Sequence, residues 1–321
     1  MKLTRGFAEN LFVVFALSLI MAFSVFLSKQ VKEVEIFKLK NITNAIRNIK
    51  DTNVLVLGIA GFESNGPLLT DVMMVVNVNL DKSTIKAISI PRDLLVNIKN
   101  TENFIKINNL LTVDNPNLKI KKTDLIKDKV EQITNLKIDN IVIVDLDGFR
   151  YFIDAIGGIN VYLDQPLYDP KLANPDNPNE RFYLESGWNY LDGKKAAKFV
   201  RSRYAATGDF SRIDHQHDLL MAVFQKLKKL NAFTSPVMLY KIYTSWSGYL
   251  YTDFNVNDGL KLLPLAKNLN AKNIKFTTIN YSDPEKLLIS NNSDVYGYFL
   301  MPKIGLENYD EINNYIYNFI Y

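Results

Sequence analysis

The segment Asn53–Ile59 reads Asn-Val-Leu-Val-Leu-Gly-Ile, a continuous apolar run with no charged residue. Side chains of an extended chain alternate between the two faces of a sheet, so this run predicts a strand that is buried on both faces. Two further strands are predicted at Val72–Val78 and Thr84–Ile90, joined by the turn-like tetrad Leu80–Ser83, and a fourth at Ile141–Val144.

Helical patterns alternate with these strands. A helix is predicted to start at an N-cap, Asp147, and to end at Gly157-Gly158, with an apolar stripe of Phe149, Phe152, Ile153 and Ile156. The elements predicted after it are a strand at Asn160–Leu163, a surface excursion at Gln165–Trp188, a short helix at Lys194–Val200, an amphipathic helix from Arg212 with Leu220, Val223, Phe224 and Leu227 inside, a helix at Val256–Asn268, a strand at Ile274–Ile279 and a helix from about Asn308. This alternation predicts an α/β fold, a layered α-β-α domain with a central mixed β-sheet.

An uncharged apolar segment lies near the N-terminus, at Leu11–Ser28. As a helix it reaches about 27 Å, close to the ~30 Å hydrocarbon thickness of a bilayer. Lys2 and Arg5 precede it, so we expect a transmembrane anchor with a cytoplasmic N-terminus and an exported remainder. The alternative is a cleaved signal peptide, for which Ala22–Ser24 is a poor cleavage site.

Composition narrows the function classes. The chain has 321 residues, 47% of them hydrophobic, which is enough for one large domain or two modest ones. A net charge of +4 argues against a protein that coats nucleic acid. The chain has no cysteine, which excludes disulfides and thiolate metal sites.

Several arginines are candidates for binding an anion. Arg201 and Arg203 are two residues apart and point to the same side if their link is extended. Arg212 and Gln216 share a helix face, and the first turn of that helix has free backbone N–H groups. Arg92 follows directly on a predicted strand, and Asp209 precedes the helix. Forked guanidinium groups match phosphate oxygens, although arginine pairs also occur as solvated or salt-bridged surface residues.

A series of short motifs carries a family resemblance. The motifs are Asn53–Ile59, Thr70-Asp71, Ser89–Asp93, Lys106–Asn108, Gly148-Phe149 with Gly157-Gly158, Leu191–Gly193, Arg201 with Arg203, and Asp209–Arg212 followed by Gln216. In this order they resemble the LytR-CpsA-Psr family over residues 53 to about 228. The resemblance implies a membrane-anchored, extracytoplasmic phosphotransferase that moves a glycopolymer from a polyprenyl-pyrophosphate carrier to peptidoglycan or another wall glycan.

The resemblance also implies a role for each matching residue. Expected to hold the pyrophosphate are Arg92, Arg201, Arg203 and Arg212, with Gln216 lining the site and Lys106 and Asn108 at its rim. Asp93 and Asp209 are expected to orient arginines, and the catalytic residues are expected to be Arg92, Arg203 and Asp209. Asp71 is expected to help bind Mg²⁺ or Mn²⁺.

The chain departs from the family pattern at three places. The segment Gly58–Ala60 lacks a second metal-binding aspartate, and Glu63 is a candidate replacement for it. Leu69 stands where an arginine is frequent in the family, and His215 stands where a further arginine occurs. His215 and His217 are interpreted as ordinary polar helix residues, and Trp188 and Trp246 as packing residues.

The expected organisation is a cytoplasmic N-terminus at 1–10, a transmembrane helix at 11–28, a stalk at 29–52, the catalytic domain at 53–230, and helices and a strand at 231–321 that complete or flank it. The expected reaction is attack by a sugar hydroxyl of the wall glycan on the phosphorus next to the glycopolymer. Arginines and a divalent ion neutralise the charge, and polyprenyl phosphate leaves. Two alternatives remain open, a polyprenyl-pyrophosphate hydrolase and an inactive membrane-tethered binder of lipid or polysaccharide. Membrane lipid is an expected partner and nucleic acid is not.

Overall fold

The structure is a computed structural model that describes residues 51–59, 68–113, 121–170, 172, 181–202, 219, 222–223, 225–227, 229–230, 238, 241–242, 244–245, 247–254, 273–280 and 286–321. The chain divides into two compact units. The first, here called the sheet unit, has its described residues within 51–145, 250–254 and 273–321. The second unit has its described residues within 146–249.

The sheet unit is built on a mixed sheet. Its strands are β1 (Asp51–Ile59), β2 (Thr70–Asn79), β3 (Thr84–Ser89), β4 (Leu95–Asn97), β5 (Phe104–Lys106), β6 (Asn140–Asp145), β11 (Leu250–Thr252), β12 (Ile274–Thr278), β13 (Leu288–Ser293) and β14 (Gly297–Pro302). Six of them form one sheet in the order β11-β6-β1-β2-β3-β12. β1, β3, β6 and β12 run in one direction, whereas β2 and β11 run in the other. The predicted mixed α/β fold with a central mixed sheet is confirmed.

The continuous apolar pattern of β1 has the expected consequence. All residues from Val54 to Ile59 are buried, so both faces of the strand are covered. On one face Leu55 and Leu57 share a core with α1 (Lys122–Thr134) and α4 (Asp310–Ile320). The residues that these helices contribute recur at helical spacing: Leu125, Ile126, Val130 and Ile133 from α1, and Ile312, Ile316 and Ile320 from α4.

The second unit contains helices and two-stranded ribbons. Its described elements are α2 (Leu146–Ala155), β7 (Ile159–Leu163), β8 (Leu167–Asp169), β9 (Phe182–Leu184), β10 (Gly187–Leu191), α3 (Gly193–Arg201) and a 3₁₀ turn (Ser247–Tyr249). β7 pairs with β10 and β8 with β9, both antiparallel. Val223 and Leu227, the described members of the predicted inner face, are buried as expected, and Leu219, which was not predicted, is buried as well.

The ends of α2 and α3 are set by particular side chains. α2 starts at Leu146, so Asp147 lies in the first turn and accepts a hydrogen bond from Arg150 at 2.6 Å. The predicted N-cap role of Asp147 is therefore wrong. After α2, Gly157 and Gly158 both have positive φ, which ends the helix as predicted. Asp192 caps α3, because its Oδ1 accepts from the backbone N–H of Lys195 at 2.8 Å.

The segment Gln165–Trp188 was predicted to be a surface excursion, and most of its described residues are exposed. It also contains β8, β9 and the start of β10, which were not predicted and in which buried residues alternate with exposed ones. Trp188 was interpreted as a packing residue, but it is 72% exposed.

Among the described residues, every helix is too short or too polar to cross a lipid bilayer. The predicted transmembrane segment Leu11–Ser28 lies outside the described residues, as does the predicted helix Val256–Asn268.

Candidate functional site

Asp71 and Arg92 meet at one end of the sheet. β2 starts at Thr70 and β3, which is antiparallel to it, ends at Ser89, so both positions lie at the same end. The chain leaves β3 with a hydrogen bond from Ile90 N–H to the carbonyl of Met73 at 3.0 Å. Arg92 follows in the loop, and its Nη1 donates to Oδ1 of Asp71 at 2.5 Å. Two residues that are 21 positions apart therefore form a direct ion pair.

Asp93 and Lys106 extend this pair into a chain of alternating charges. Arg92 Nε lies 3.7 Å from Asp93 Oδ2, and Lys106 Nζ lies 3.5 Å from Asp93 Oδ1. Lys106 ends β5, which pairs with β4 directly after the arginine loop. We call these four residues, Asp71, Arg92, Asp93 and Lys106, the charged cluster. Its side chains are between 25% and 52% exposed, so both cations are accessible to an anion from solvent.

The backbone of the arginine loop is held at four consecutive carbonyl groups. The carbonyl of Pro91 accepts from Leu94 N–H at 3.2 Å, and that of Arg92 accepts from Asn108 N–H at 3.3 Å. The carbonyl of Asp93 accepts from Leu300 N–H at 2.9 Å, and that of Leu94 from Ile107 N–H at 2.8 Å. Since each carbonyl has a partner, the loop is restrained and the Arg92 side chain starts from a defined position.

Two buried polar residues at this end of the sheet were given no role in the sequence analysis. Thr70 is fully buried, and its Oγ1 lies 3.4 Å from the carbonyl of Asn108, a long contact that links β2 to the 3₁₀ helix Ile107–Thr112. Asp145, the last residue of β6, is also buried and stands in register with Ile59 of β1. An acid at the end of an apolar run was the available signal for Asp145. The hydrogen bond from Leu300 to the carbonyl of Asp93 could not be predicted from local sequence, because the two residues are about 200 positions apart.

Arg201 belongs to the second unit, where it ends α3 and is exposed. The next residue, Ser202, is buried with extended dihedral angles, and its Oγ donates to Asp169 Oδ2 at 2.8 Å. This bond fixes the chain just after Arg201. The other predicted site residues, Arg203, Asp209, Arg212 and Gln216, lie outside the described residues, as do Ala60, Glu63, His215, His217 and Trp246.

Asp71 is the described residue that was predicted to bind a divalent cation. The described part of the chain holds no group of three or more His, Asp or Glu side chains arranged to bind a metal. Mg²⁺ is frequently bound by one or two carboxylates, with water and substrate phosphate oxygens as its remaining ligands. A half-exposed carboxylate beside an arginine fits this shared mode of binding.

The two cations of the charged cluster are of residue types that bind phosphate groups in proteins. Arg92 presents forked N–H donors, Lys106 adds a compact positive charge, and Asp93 lies between them. Without a ligand the two cations are matched by two carboxylates. A diphosphate would replace this internal pairing with charge-assisted hydrogen bonds to its own oxygens.

A known protein family matches most of this chain. The family model described as "LytR_cpsA_psr family" matches residues 23–312. A curated relative, the polyisoprenyl-teichoic acid–peptidoglycan teichoic acid transferase TagV of Bacillus subtilis, is 28% identical over 262 residues, covering 80% of this chain and 63% of TagV. The corresponding TagU of Oceanobacillus iheyensis is 29% identical over 206 residues, covering 61% of this chain and 57% of TagU. The chain thus spans less than two thirds of the length of these relatives.

Solved structures share the fold. The crystal structure of Bacillus subtilis TagV has a TM-score of 0.60 at 24% identity, covering 84% of this chain and 97% of TagV. The structure of TagT bound to LI-WTA has a TM-score of 0.58 at 20% identity, covering 84% of this chain and 89% of TagT. At this identity the likeness shows the fold, and the family model covers most of the sequence. The chain therefore belongs to the LytR_cpsA_psr family.

Proposed function

We propose that this protein is a membrane-anchored, extracytoplasmic phosphotransferase that moves a glycopolymer from a polyprenyl-pyrophosphate carrier to a cell-wall glycan. The observation that carries the proposal is the pairing of Arg92 with Asp71 and Asp93 at one end of the sheet. Two relatives bear names of transferases that join polyisoprenyl-linked teichoic acid to peptidoglycan, which supports the same substrate class. The anchor is the apolar segment Leu11–Ser28.

In the proposed reaction Arg92 binds the pyrophosphate of the carrier. Its guanidinium group donates to the phosphate oxygens and offsets the charge that develops as the bond to polyprenyl phosphate breaks. Asp93 forms an ion pair with Arg92, with 3.7 Å between Arg92 Nε and Asp93 Oδ2, and helps to orient the guanidinium group for the substrate. Lys106 attracts the anion at the edge of the same cluster. Arg201, Arg203, Arg212 and Gln216 are proposed as further ligands of the pyrophosphate, and Asp209 as an orienting residue.

The proposed metal ion is Mg²⁺, or Mn²⁺ in its place, with Asp71 as its protein ligand. When bound, the ion would neutralise phosphate charge alongside Arg92. The Asp71 carboxylate would contact both the metal ion and Arg92. Metal binding at Asp71 and the position of the Arg92 guanidinium group would therefore affect each other.

The proposal is tested with the full-length protein in detergent. The protein is incubated with a polyprenyl-pyrophosphate-linked saccharide, wall glycan fragments and Mg²⁺, and the products are separated by mass. We expect saccharide joined to the wall glycan through a phosphodiester. Arg92→Ala should lower the rate by about 10²–10³, as does loss of one oxyanion donor in other enzymes.

The matched control is Lys303→Ala, which removes a cation that is 42% exposed and pairs with Glu311 in the same unit. It should leave the rate unchanged. Phosphorylated saccharide released into solution without transfer would instead identify a hydrolase. Equal rates for the wild type and Arg92→Ala would contradict the assigned site.

A further inference from the structure

The ribbon formed by β7 and β10 presents aromatic side chains to solvent. Its inward residues Ile159, Val161, Leu163 and Leu191 are buried. On the other face Tyr162 stands opposite Trp188, and Asn160 stands opposite Tyr190. Trp188 is 72% exposed, and Tyr162 and Tyr190 are each more than half exposed. Large aromatic groups are costly to leave in water, so a row of them marks a binding surface.

The rings on this face are held in place. The Tyr162 and Trp188 rings meet edge to face, with centroids 5.4 Å apart and planes at 70°. The Tyr190 ring lies against the backbone at Gly158, where even a Cβ atom would collide with it. Gly158 therefore has a second role besides ending α2, since its missing side chain leaves room for this ring. Fixed aromatic rings lose little conformational entropy when they bind a ligand.

The charges around the ribbon select the class of ligand. Every residue of β7 and β10 is described, and the outward positions Asn160, Tyr162, Trp188 and Tyr190 carry no charge. The exposed carboxylates Asp164 and Glu185 flank one end, and the exposed Lys194 and Lys195 of α3 follow the other. The outward face of the ribbon is therefore uncharged, and charges of both signs flank it. A surface for anionic lipid would need an excess of lysine and arginine, which is not found at these positions.

We propose that the β7–β10 ribbon binds an uncharged pyranose chain of a wall glycan by stacking sugar rings on Trp188 and Tyr190. A pyranose ring presents C–H groups on its flat face, and these pack against the electron-rich face of an aromatic ring. Its hydroxyl and amide groups bond to Asn160 and to the phenol groups of Tyr162 and Tyr190. The ribbon belongs to the second unit and the charged cluster to the sheet unit, and binding at the ribbon requires no phosphoryl transfer.

The test measures binding by calorimetry, with the full-length protein in detergent and a soluble β-linked N-acetylglucosamine hexamer as the probe. Trp188→Ala should weaken binding by about tenfold or more, as expected for loss of a central interface aromatic. Trp188→Phe should retain most of the affinity, because it keeps a stacking face. Tyr190→Ala provides a second variant on the same face.

Two control variants show whether binding depends on this ribbon in particular. Tyr317→Ala removes an aromatic residue of α4 that is 63% exposed in the sheet unit, and it should leave binding unchanged. Arg92→Ala should also bind the hexamer like the wild type, even though it loses transfer. Vesicles of phosphatidylglycerol serve as the competing probe, added to protein whose detergent has been exchanged for an amphipathic polymer that leaves vesicles intact.

The expected result is hexamer binding that depends on Trp188 and Tyr190, together with vesicle binding that does not. Hexamer binding that is absent, or that Trp188→Ala and Tyr190→Ala leave unchanged, overturns the proposal. Loss of vesicle binding in Trp188→Ala with unchanged hexamer binding also overturns it, and identifies a membrane contact instead.

Discussion

Nη1 of Arg92 lies 2.5 Å from Oδ1 of Asp71, so the cation proposed to bind pyrophosphate rests on the carboxylate proposed to bind the metal ion. The arrangement keeps both charges matched before binding, and it makes the two residues interdependent in every variant that changes one of them.

Replacement of Arg92 by lysine tests whether the forked shape of the guanidinium is required. Arg92→Lys keeps the charge but cannot contact Asp71 and Asp93 through two separate N–H groups. We expect kcat to fall by at least about tenfold, as for a loss of roughly 1.4 kcal/mol of transition-state binding. Steady-state kinetics on the lipid-linked substrate measure this change, and wild-type kcat in Arg92→Lys would show that charge alone suffices.

Asp71→Asn removes the negative charge that pairs with Arg92 and leaves the shape almost unchanged. The Mg²⁺ concentration for half-maximal rate should rise by about tenfold or more, because ligand charge sets affinity for a hard cation. The check is the rate as a function of Mg²⁺ concentration. Asp128→Asn, at a carboxylate that pairs with Lys99, is the control. An unchanged metal requirement in Asp71→Asn would rule out Asp71 as the ligand.

Leu300 tests the support of the arginine loop. Leu300→Pro removes the N–H that donates to the carbonyl of Asp93, whereas Leu300→Val retains it. The free energy of unfolding of the proline variant should be about 1–3 kcal/mol lower than that of the valine variant, because the carbonyl of Asp93 loses its hydrogen-bond donor. Its transfer rate should also fall further. Urea unfolding measures the stability of the two variants, and transfer rates are compared at a temperature where both are folded. Equal stability and equal transfer rates in the two variants would show that the hydrogen bond is dispensable.

Glu307 stabilises a buried cation. Lys129 is 5% exposed, and its Nζ lies 2.6 Å from Oε2 of Glu307, while Oε1 of Glu307 accepts from the backbone N–H of Asn97 at 2.7 Å. Glu307→Ala should cost about 3–5 kcal/mol in the free energy of unfolding, because it leaves the buried ammonium unpaired. Asp128→Ala breaks a more exposed pair and should cost no more than about 1 kcal/mol. If urea unfolding showed that the two variants lose equal free energy of unfolding, burial of Lys129 would not explain the strength of its pair with Glu307.

Tyr309 should make stability fall at alkaline pH. Burial, and then the nearby Glu307 carboxylate, raise the pKa of Tyr309 well above its usual value of 10.0. The folded state therefore keeps the phenol proton that the unfolded state loses, so this contribution is intact below the unfolded pKa and declines above it. Between about pH 9 and about pH 11, Tyr309→Phe should lose less stability than the wild type. Parallel slopes for the two proteins in urea unfolding would refute this.

Local patterns were enough to predict much of the central sheet. The apolar run of β1 and the strand that leads to Arg92 were both identified, since burial on two faces leaves an unbroken apolar sequence. The helix α1 was not predicted, although Leu125, Ile126, Val130 and Ile133 have helical spacing. Its many charged residues, of which Lys129 is buried and the others are at least partly exposed, obscured the pattern.

Elements stabilised by distant partners were harder to predict. β13 includes the polar run Ser290–Ser293, which resembles a loop and becomes a strand because it pairs with β14. Asp71 and Arg92 were expected in one site and are in direct contact, whereas the bond from Leu300 to Asp93 has no counterpart in local sequence. Lys106 was expected at the rim, and the structure adds its contact with Asp93.

The dependence of the arginine loop on Leu300 has a consequence for biogenesis. Ile279 N–H also donates to the carbonyl of Ser89, at 3.0 Å. The backbone on both sides of Arg92, at Ser89 and at Asp93, is therefore held by residues from late in the chain. A nascent polypeptide that has emerged only as far as residue 270 includes all four residues of the charged cluster but lacks these two donors. We therefore expect the arginine loop to reach its final position only after residues 279 and 300 have been synthesised and have packed against it.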